Sequence, residues 1–161
     1  MEREETTMDD RLFRDAMGKF ATGITIVSID YGGEILGMTV NAFMSVSLDP
    51  KLIAISIDEK ASMYNKLQET KKFGVSILAE EQKDISMIFA KQKEKDREIP
   101  FIRLDDIPVI KDSIATLSCH VKETTKAGDH MIFIAEVTGL TMSEKNPTLF
   151  FGGKYRTMTS L

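Results

Sequence analysis

The chain has 161 residues, a length that fits a single domain with one hydrophobic core over residues 1–161. Its formal net charge is −4, whereas nucleic-acid binders usually carry a basic excess, so nucleic acid is not an expected partner. No apolar run approaches the ~20 residues of a membrane span. The first five residues lack the apolar stretch of a secretory signal, and the one cysteine, Cys119, is typical of a protein of the reducing cytoplasm.

The first predicted element is an amphipathic helix. Its apolar side chains recur at about four-residue spacing and form one stripe, made of Leu12, Phe13, Ala16, Met17, Phe20 and Ala21. Thr7 is the candidate N-terminal cap, with Asp10 three residues later. Gly23 is the predicted stop of this helix.

Strands follow the helix, because the apolar period changes from four to two. The β-branched run at 24–29 predicts a first strand, and the Tyr-Gly-Gly sequence at 31–33 predicts a tight turn into a second strand over 34–43. Asp49 and Pro50 mark the next turn, and the apolar run at 52–57 predicts a third, largely buried strand.

The rest of the chain mixes helices and strands. The predicted segments are helices at 62–70 and 80–90 and strands at 73–78, 114–124, 131–142 and 148–151. The charged run at 91–97 predicts a solvated loop, with a mobile lid over a site as the alternative. About six main strands and three short helices predict a mainly β fold, an antiparallel barrel with helical covers, rather than a Rossmann sheet.

The residues exclude several kinds of site. No glycine pattern fits a dinucleotide fingerprint or a phosphate loop. The two histidines, His120 and His130, have no spacing that would hold zinc, so no metal is expected. Cys119 directly precedes His120, and neighbours in a strand point to opposite faces, so they cannot act as nucleophile and base. Such a chain can still be an enzyme if a bound cofactor does the chemistry.

Several segments, in their order along the chain, resemble the flavin reductase-like family of FMN-binding split barrels. They are residues 13–27 (FRDAMGKFATGITIV), 37–50 (GMTVNAFMSVSLDP), 73–82 (FGVSILAEEQ), 128–130 (GDH) and 153–156 (GKYR). Within that family the chain is most similar to the reductase components of two-component flavin monooxygenases. The resemblance covers nearly the whole chain.

The resemblance implies a fold, a cofactor and a reaction. The implied fold is a six-stranded antiparallel split β-barrel of the Greek-key type with short covering helices, and two chains form a homodimer with the flavin at their interface. FMN or FAD is the implied cofactor and NADH or NADPH the hydride donor. The reduced flavin would be passed to a partner monooxygenase. The sequence does not choose between the two flavins or between the two nicotinamides.

The same resemblance assigns residues to the flavin. Small polar groups beside apolar ones would hold the ring, namely Met38, Thr39, Val40, Asn41, Ala42, Ser45, Val46 and Ser47. The alternative interpretation of this segment is a barrel strand followed by a Ser-rich turn. Ser56, Phe89, Tyr155 and Arg156 are also expected to line the site, although Arg156 can equally form a surface ion pair.

The phosphate and the nicotinamide have separate candidates. Lys60 and Ser62 lie where the third strand meets a helix start, which would offer an ammonium, a hydroxyl and backbone amides to the flavin phosphate. An ordinary capped helix is the alternative. His130 matches the histidine of the family's Gly-Asp-His motif and would position the nicotinamide, since hydride transfer needs orientation more than an acid or base. Its alternative is a turn histidine.

Two other functions of the same fold remain open. A flavin-binding electron carrier or storage protein would lack its own nicotinamide reaction, and the Gly-Asp-His motif at 128–130 favours the reductase over it. A pyridoxamine phosphate oxidase is disfavoured by the small number of basic residues near the candidate site.

Overall fold

The computed structural model describes residues 8–161, so the predicted cap Thr7 lies outside the described residues. In that range there are three α-helices and twelve strands, with a 3-10 turn at Glu80–Gln82. The elements are α1 (Asp10–Met17), β1 (Thr22–Gly23), β2 (Thr25–Tyr31), β3 (Glu34–Val40), β4 (Phe43–Leu48), β5 (Lys51–Asp58), α2 (Tyr64–Thr70), β6 (Lys72–Ile77), α3 (Lys83–Phe89), β7 (Phe101–Leu104), β8 (Ile107–Ile110), β9 (Ala115–Ala127), β10 (His130–Met142), β11 (Leu149–Phe151) and β12 (Lys154–Arg156). Within the same range no helix is both long and apolar enough to cross a membrane.

Seven strands form one antiparallel sheet in the order β3-β2-β6-β9-β10-β5-β4. Its two edge strands, β3 and β4, are consecutive in the chain and are joined by Asn41 and Ala42. The sheet therefore curls until its edges meet at this link, but within residues 8–161 no backbone pairing of β3 with β4 closes it into a barrel. The prediction of a mainly β, antiparallel fold with three helices is confirmed. The sheet has seven strands, one more than the six main strands predicted.

The hydrophobic core lies inside the curled sheet. Alternate residues of β5 and β10 point into it, such as Ile55, Phe133 and Ala135. Cys119 of β9 is fully buried in the same core, and this burial raises the pKa of its thiol to about 12. A buried, protonated thiol is not a nucleophile at neutral pH, which agrees with the prediction for Cys119 and His120.

Helix α1 is shorter and more exposed than predicted. The Asp9 carboxylate caps it by accepting a hydrogen bond from the Leu12 amide at 2.7 Å. Gly18 ends it, so the prediction of Gly23 as the stop is wrong, because Gly23 already belongs to β1 and pairs with β11. None of the helix side chains is buried, and Phe20, beyond its end, is 80% exposed.

The strand predicted over 34–43 is in fact two strands. β3 ends at Val40, and the chain crosses to the opposite edge of the sheet at Asn41 and Ala42. The segment that follows, for which a Ser-rich turn was the alternative interpretation, forms strand β4. A bulge between Ser45 and Ser47 interrupts the pairing of β4 with β5. The bulge shifts the two-residue alternation by one, which hides the strand in the sequence.

The hairpin of β7 and β8 and the short strand β12 were not predicted. Pro108 lies within β8 and weakens the strand pattern in the sequence. The hairpin packs on β6 at Gly74, where a Cβ would lie 2.1 Å from the Pro108 carbonyl oxygen. A glycine in a predicted strand therefore marks the place where a second layer approaches the sheet.

The helical segments differ from the predictions only at their ends. α2 begins at Tyr64 instead of residue 62, because Met63 turns into the core and is 2% exposed. Residues 91–97 form the predicted loop, and Lys93 and Arg97 pair with Asp84 of α3 at 3.2 and 3.0 Å. These ion pairs attach the loop to α3.

Candidate functional site

The outer face of β5 and β10 brings several predicted residues together. Ser56 pairs across the strands with Ile132, and Asp58 pairs with His130, while their neighbours in sequence point into the core. The Ser56 amide donates to the Ala42 carbonyl at 3.1 Å, so the link between β3 and β4 borders the same face. Ala42, Ser56 and His130 therefore lie along one surface.

His130 is oriented by its neighbour in sequence. Its Nδ1 lies 2.8 Å from Oδ1 of Asp129, and this hydrogen bond is the main cause that holds the pKa of Asp129 below its ordinary value. An ionised carboxylate is an acceptor, so Nδ1–H donates to it. The other ring nitrogen, Nε2, is then left to contact a ligand.

The turn after β5 places Lys60 beside the loop that carries Asp129. The Glu59 amide donates to the Asp129 carbonyl, and the Lys60 amide donates to Oδ1 of Asp58, both at 2.9 Å. The charge of Lys60 is one of the lesser causes that lower the pKa of Asp129. Ser62 is exposed and does not cap α2, which has no side-chain cap. The predicted phosphate and nicotinamide contacts thus belong to one part of the surface.

The polar residues of β4 extend away from His130. Ser45 and Ser47 pair with residues near the start of β5, whereas His130 pairs with its last residue. Val46 lies at the bulge and is 45% exposed. A ligand that touches both groups would have to lie along the whole length of β5.

The predicted residues of β3 point to two different sides. Met38 and Val40 pack in or against the core, so only their backbone groups can face a ligand. The Val40 carbonyl accepts a hydrogen bond from Oγ1 of Thr25 at 2.7 Å. Thr39 points the other way and donates from Oγ1 to the Ser86 carbonyl of α3, also at 2.7 Å.

Ser86 connects β3 to the C-terminal hairpin. Its carbonyl accepts from Thr39, and its hydroxyl lies 2.9 Å from the Tyr155 hydroxyl. Ser86 is fully buried between Ile85 and Ile88 on α3 and was missed by the sequence reasoning. The available signal was a polar residue among the inward-facing positions of an apolar helix.

Phe89 and Arg156 are the other two predicted residues of this region. The Phe89 ring packs on Gly37 of β3, where a Cβ would lie 2.8 Å from the ring, so Phe89 fills the space between α3 and the sheet. The guanidinium carbon of Arg156 lies 5.8 Å from the centre of the Phe151 ring. In the described part of the chain Arg156 makes no ion pair, contrary to the alternative interpretation for it.

A small cavity beside Asn41 allows the fit to a flavin to be tested. Its volume is about 240 Å³, and it is lined by Thr22, Gly23, Ile24, Thr25, Asn41, Phe43 and Ile77. The buried Oγ1 of Thr22 has no hydrogen-bond partner among residues 8–161. The exposed Asn41 amide suits the polar edge of a flavin ring and Phe43 suits its apolar face, while Thr22 of the same lining has a hydroxyl without a partner. Thr22 was not predicted, since a lone threonine carries little signal.

The chain is similar to known proteins over most of its length. Residues 17–159 match the family model described as flavin reductase like domain. An NADH-dependent flavin reductase of Rhodococcus sp is 36% identical over 151 residues, which are 92% of this chain and 86% of that protein. The reductase component of 4-hydroxyphenylacetate 3-monooxygenase of Thermus thermophilus is 35% identical over 145 residues, 89% of this chain and 93% of that one.

A solved structure agrees with the sequence comparisons. The flavin reductase PheA2 in its native state superposes with a TM-score of 0.93 and 53% identity, covering 95% of this chain and all of that one. Together with the match over residues 17–159, this shows that the chain belongs to the flavin reductase-like domain family.

Proposed function

We propose that this chain is an NADH- or NADPH-dependent flavin reductase that supplies reduced FMN or FAD to a partner monooxygenase. The observation that carries the proposal is the surface where Ala42, Ser56, Lys60 and His130 meet, at the end of β5 and the start of β10. Family membership supports it, as do two relatives, one an NADH-dependent flavin reductase and the other the reductase component of a monooxygenase.

Residues on this surface and beside it have separate roles in the proposal. The Lys60 ammonium and the Ser62 hydroxyl hold the flavin phosphate, and the Asn41 amide holds the polar edge of the ring. When bound, the flavin supplies the redox chemistry by accepting a hydride from the nicotinamide. His130 orients that nicotinamide through Nε2, because Nδ1 is held by Asp129.

The six-stranded barrel, the homodimer and the cytoplasmic location are parts of the same proposal. Six of the seven strands, all but β4, would make up the split barrel of one domain over residues 1–161. β4 is then an added edge strand, and its exposed Met44 and Leu48 would be covered by a second chain, with the flavin between the two subunits. We also propose a cytoplasmic location, since the reducing cytoplasm keeps a thiol such as Cys119 in its reduced form.

Anaerobic reduction of added flavin tests the proposed function. Purified protein is mixed with FMN or FAD without oxygen, NADH or NADPH is added, and the absorbance of the oxidised flavin is followed. We expect the absorbance to fall at a rate proportional to the protein concentration, and the four combinations rank the donors and the flavins. Heat-unfolded protein serves as the control for the direct reaction of donor with flavin.

The same experiment separates the alternatives. Tight flavin binding without reduction by either nicotinamide would contradict the reductase and support the electron-carrier or storage protein. Failure to bind either flavin would contradict both.

A further inference from the structure

We infer that the ion pair between Glu59 and Lys126 positions His130 for flavin reduction. The pair fixes the turn before β10, which leads into His130, relative to the turn after β5, which carries Lys60. The inference rests on the proposed function and adds two positioning residues to it. Neither of them would touch the flavin or the nicotinamide, so both would act through His130.

The end of the hairpin of β9 and β10 has a strand neighbour on one side only. β6 pairs with β9 from Ala115 to His120, and within residues 8–161 no strand pairs with the same side of β9 at 121–127. On the other side of the hairpin, β10 pairs with β5 as far as His130. A hairpin end that is held along one side opens more easily than a strand in the middle of a sheet. A further contact is therefore needed to fix the position of His130.

The pair of Glu59 and Lys126 supplies this contact. Glu59 lies in the turn after β5 and Lys126 near the end of β9, so the pair spans the start of β10, which lies between these two strands. Lys126 is paired across the strands with Met131, whose side chain packs against the core. Neighbours in a strand point to opposite faces, so the pair lies on the face opposite His130. It therefore supports the turn from behind and leaves the ligand-facing side of His130 free.

Further contacts hold both partners of the pair. The Glu59 amide donates to the Asp129 carbonyl at 2.9 Å, so Glu59 is attached to the turn by its backbone and to β9 by its side chain. The Lys126 ammonium lies 5.4 Å from the centre of the Tyr64 ring of α2 and 3.5 Å from the hydroxyl of that residue. The hydrogen bond to Glu59 raises the pKa of Lys126, because the carboxylate stabilises the charged ammonium. The pair thus connects the end of β5, β9 and α2 around the turn.

The substitutions Lys126→Met and Glu59→Gln test the pair, because each removes one charge and keeps most of the side chain. The two side chains are 47% and 43% exposed, so neither change leaves a buried group without a partner. Lys126→Arg keeps the charge and should retain the wild-type kinetics. Glu81→Gln is the matched control, since Glu81 also pairs with an exposed lysine, Lys145, but beyond the other end of β10.

Stopped-flow reduction gives kcat/KM for the nicotinamide that the wild type uses, and calorimetry gives the Kd of FMN. We expect kcat/KM to fall about twofold to fivefold in Lys126→Met and in Glu59→Gln, as for the loss of one exposed ion pair, with the Kd of FMN unchanged. The double variant should lose no more than either single variant, because either substitution already removes the pair.

The His130→Ala background separates positioning from a general effect on stability. If the pair acts through His130, adding Lys126→Met to His130→Ala should not lower kcat/KM further, although each change alone lowers it. A merely structural role would lower Tm and would give the same fold loss of kcat/KM in both backgrounds.

Several outcomes would overturn the inference. They are the same fold loss with and without His130, losses that multiply in the double variant, a similar loss in Glu81→Gln, and unchanged kcat/KM in Lys126→Met and Glu59→Gln. The wild-type protein must reduce flavin in the same series. If it does not, the proposed function is wrong and the inference is wrong with it, whereas normal reduction by the wild type and by every variant of the pair contradicts the inference alone.

Discussion

At the scale of single residues, Asp129 fixes the orientation of His130 without burying it. The Asp129 side chain is exposed, but the hydrogen bond from His130 lowers its pKa, so the carboxylate remains ionised throughout the neutral range. The imidazole is therefore held at Nδ1 throughout that range. A fixed ring orientation suits the positioning of a hydride donor.

Replacing His130 by Ala should slow flavin reduction and leave flavin binding intact. Loss of an orienting contact costs roughly 1–3 kcal/mol, which corresponds to about a tenfold to hundredfold fall in kcat/KM. Stopped-flow reduction at several donor concentrations measures the change, and we expect it in both kcat and KM. Asp129→Asn keeps the side-chain shape but weakens the hydrogen bond to Nδ1. Its kcat/KM should lie between the values of the wild type and of His130→Ala. A His130→Ala variant with wild-type rates at every donor concentration would show that His130 is only a turn residue.

Thr39 and Asn41 should behave differently although they are close in sequence. The Thr39 hydroxyl is occupied by the Ser86 carbonyl, so Thr39→Val should lower the free energy of unfolding by ~1 kcal/mol. The Asn41 side chain is exposed beside the cavity, so Asn41→Leu should weaken flavin binding severalfold to tenfold without a change in Tm. Calorimetry with FMN and thermal melts separate the two effects. Unchanged affinity in Asn41→Leu would place the ring elsewhere.

The thiol of Cys119 should make the protein less stable in alkaline solution. Its pKa is about 12 in the fold and near the ordinary value of 9.0 in the unfolded chain, because burial disfavours the thiolate. Between these values the unfolded state releases a proton that the native state keeps, so the free energy of unfolding falls as pH rises. Urea unfolding is measured from about pH 8 to about pH 11, a range that brackets the lower of the two pKa values. The free energy of unfolding should fall less steeply with pH in Cys119→Ala than in the wild type. Equal slopes in the two proteins would show that the fold does not raise the pKa of the Cys119 thiol.

At the scale of elements, the β7–β8 hairpin depends on the absence of a side chain in β6. Gly74→Ala would place a Cβ 2.1 Å from the Pro108 carbonyl oxygen, so the hairpin must move. We expect the free energy of unfolding to fall by about 1–3 kcal/mol or more, which lowers Tm by several degrees. Gly23→Ala is the matched control, since a Cβ at Gly23 meets no atom within 4 Å. Similar melting temperatures for the two variants would show that the hairpin is not packed against Gly74.

The elements also show which parts of the fold a sequence can predict. β2, β5, β9 and β10 were predicted because long β-branched or alternating runs define them. β4 was not, because its bulge breaks the alternation, and β8 was not, because it contains a proline. Their pairing partners lie elsewhere in the chain, so no local pattern records them.

The candidate site, like the fold, could be predicted only in part from the sequence. Motifs drew attention to segment 38–47, but the side on which each residue points depends on how β3 packs against α3. Ser86 contacts Thr39 and Tyr155, which are 47 and 69 positions away in the chain, so its connecting role cannot be read from the residues around it.

At the scale of the whole molecule, apolar side chains are exposed along one edge of the sheet. Met44 and Leu48 of β4 are 60% and 80% exposed, and an edge strand with such residues is usually covered in a native assembly. The proposed homodimer would bury this edge in an interface of more than about 2,000 Å² in total.

Light scattering at micromolar concentration should give twice the mass of one chain. The double substitution Met44→Asp and Leu48→Asp should produce monomers and weaken flavin binding, because the proposed site is completed by the second subunit. Met158→Asp, which adds charge at an exposed position beyond β12, should leave the dimer intact. A wild-type monomer that still binds flavin would contradict the proposed interface.

The order of the strands has a consequence for synthesis of the protein in the cell. β10 lies between β9 and β5 in the sheet, although it is the last long strand to leave the ribosome. The hairpin of β4 and β5 is made early, but Ile53, Ile55 and Ile57 are flanked on their open side only when β10 arrives. At about 5–20 residues per second this leaves an unpaired apolar strand edge on the nascent chain for several seconds. We expect holding chaperones to bind the nascent protein in this interval, and the yield of folded protein to depend on translation speed between β5 and β10.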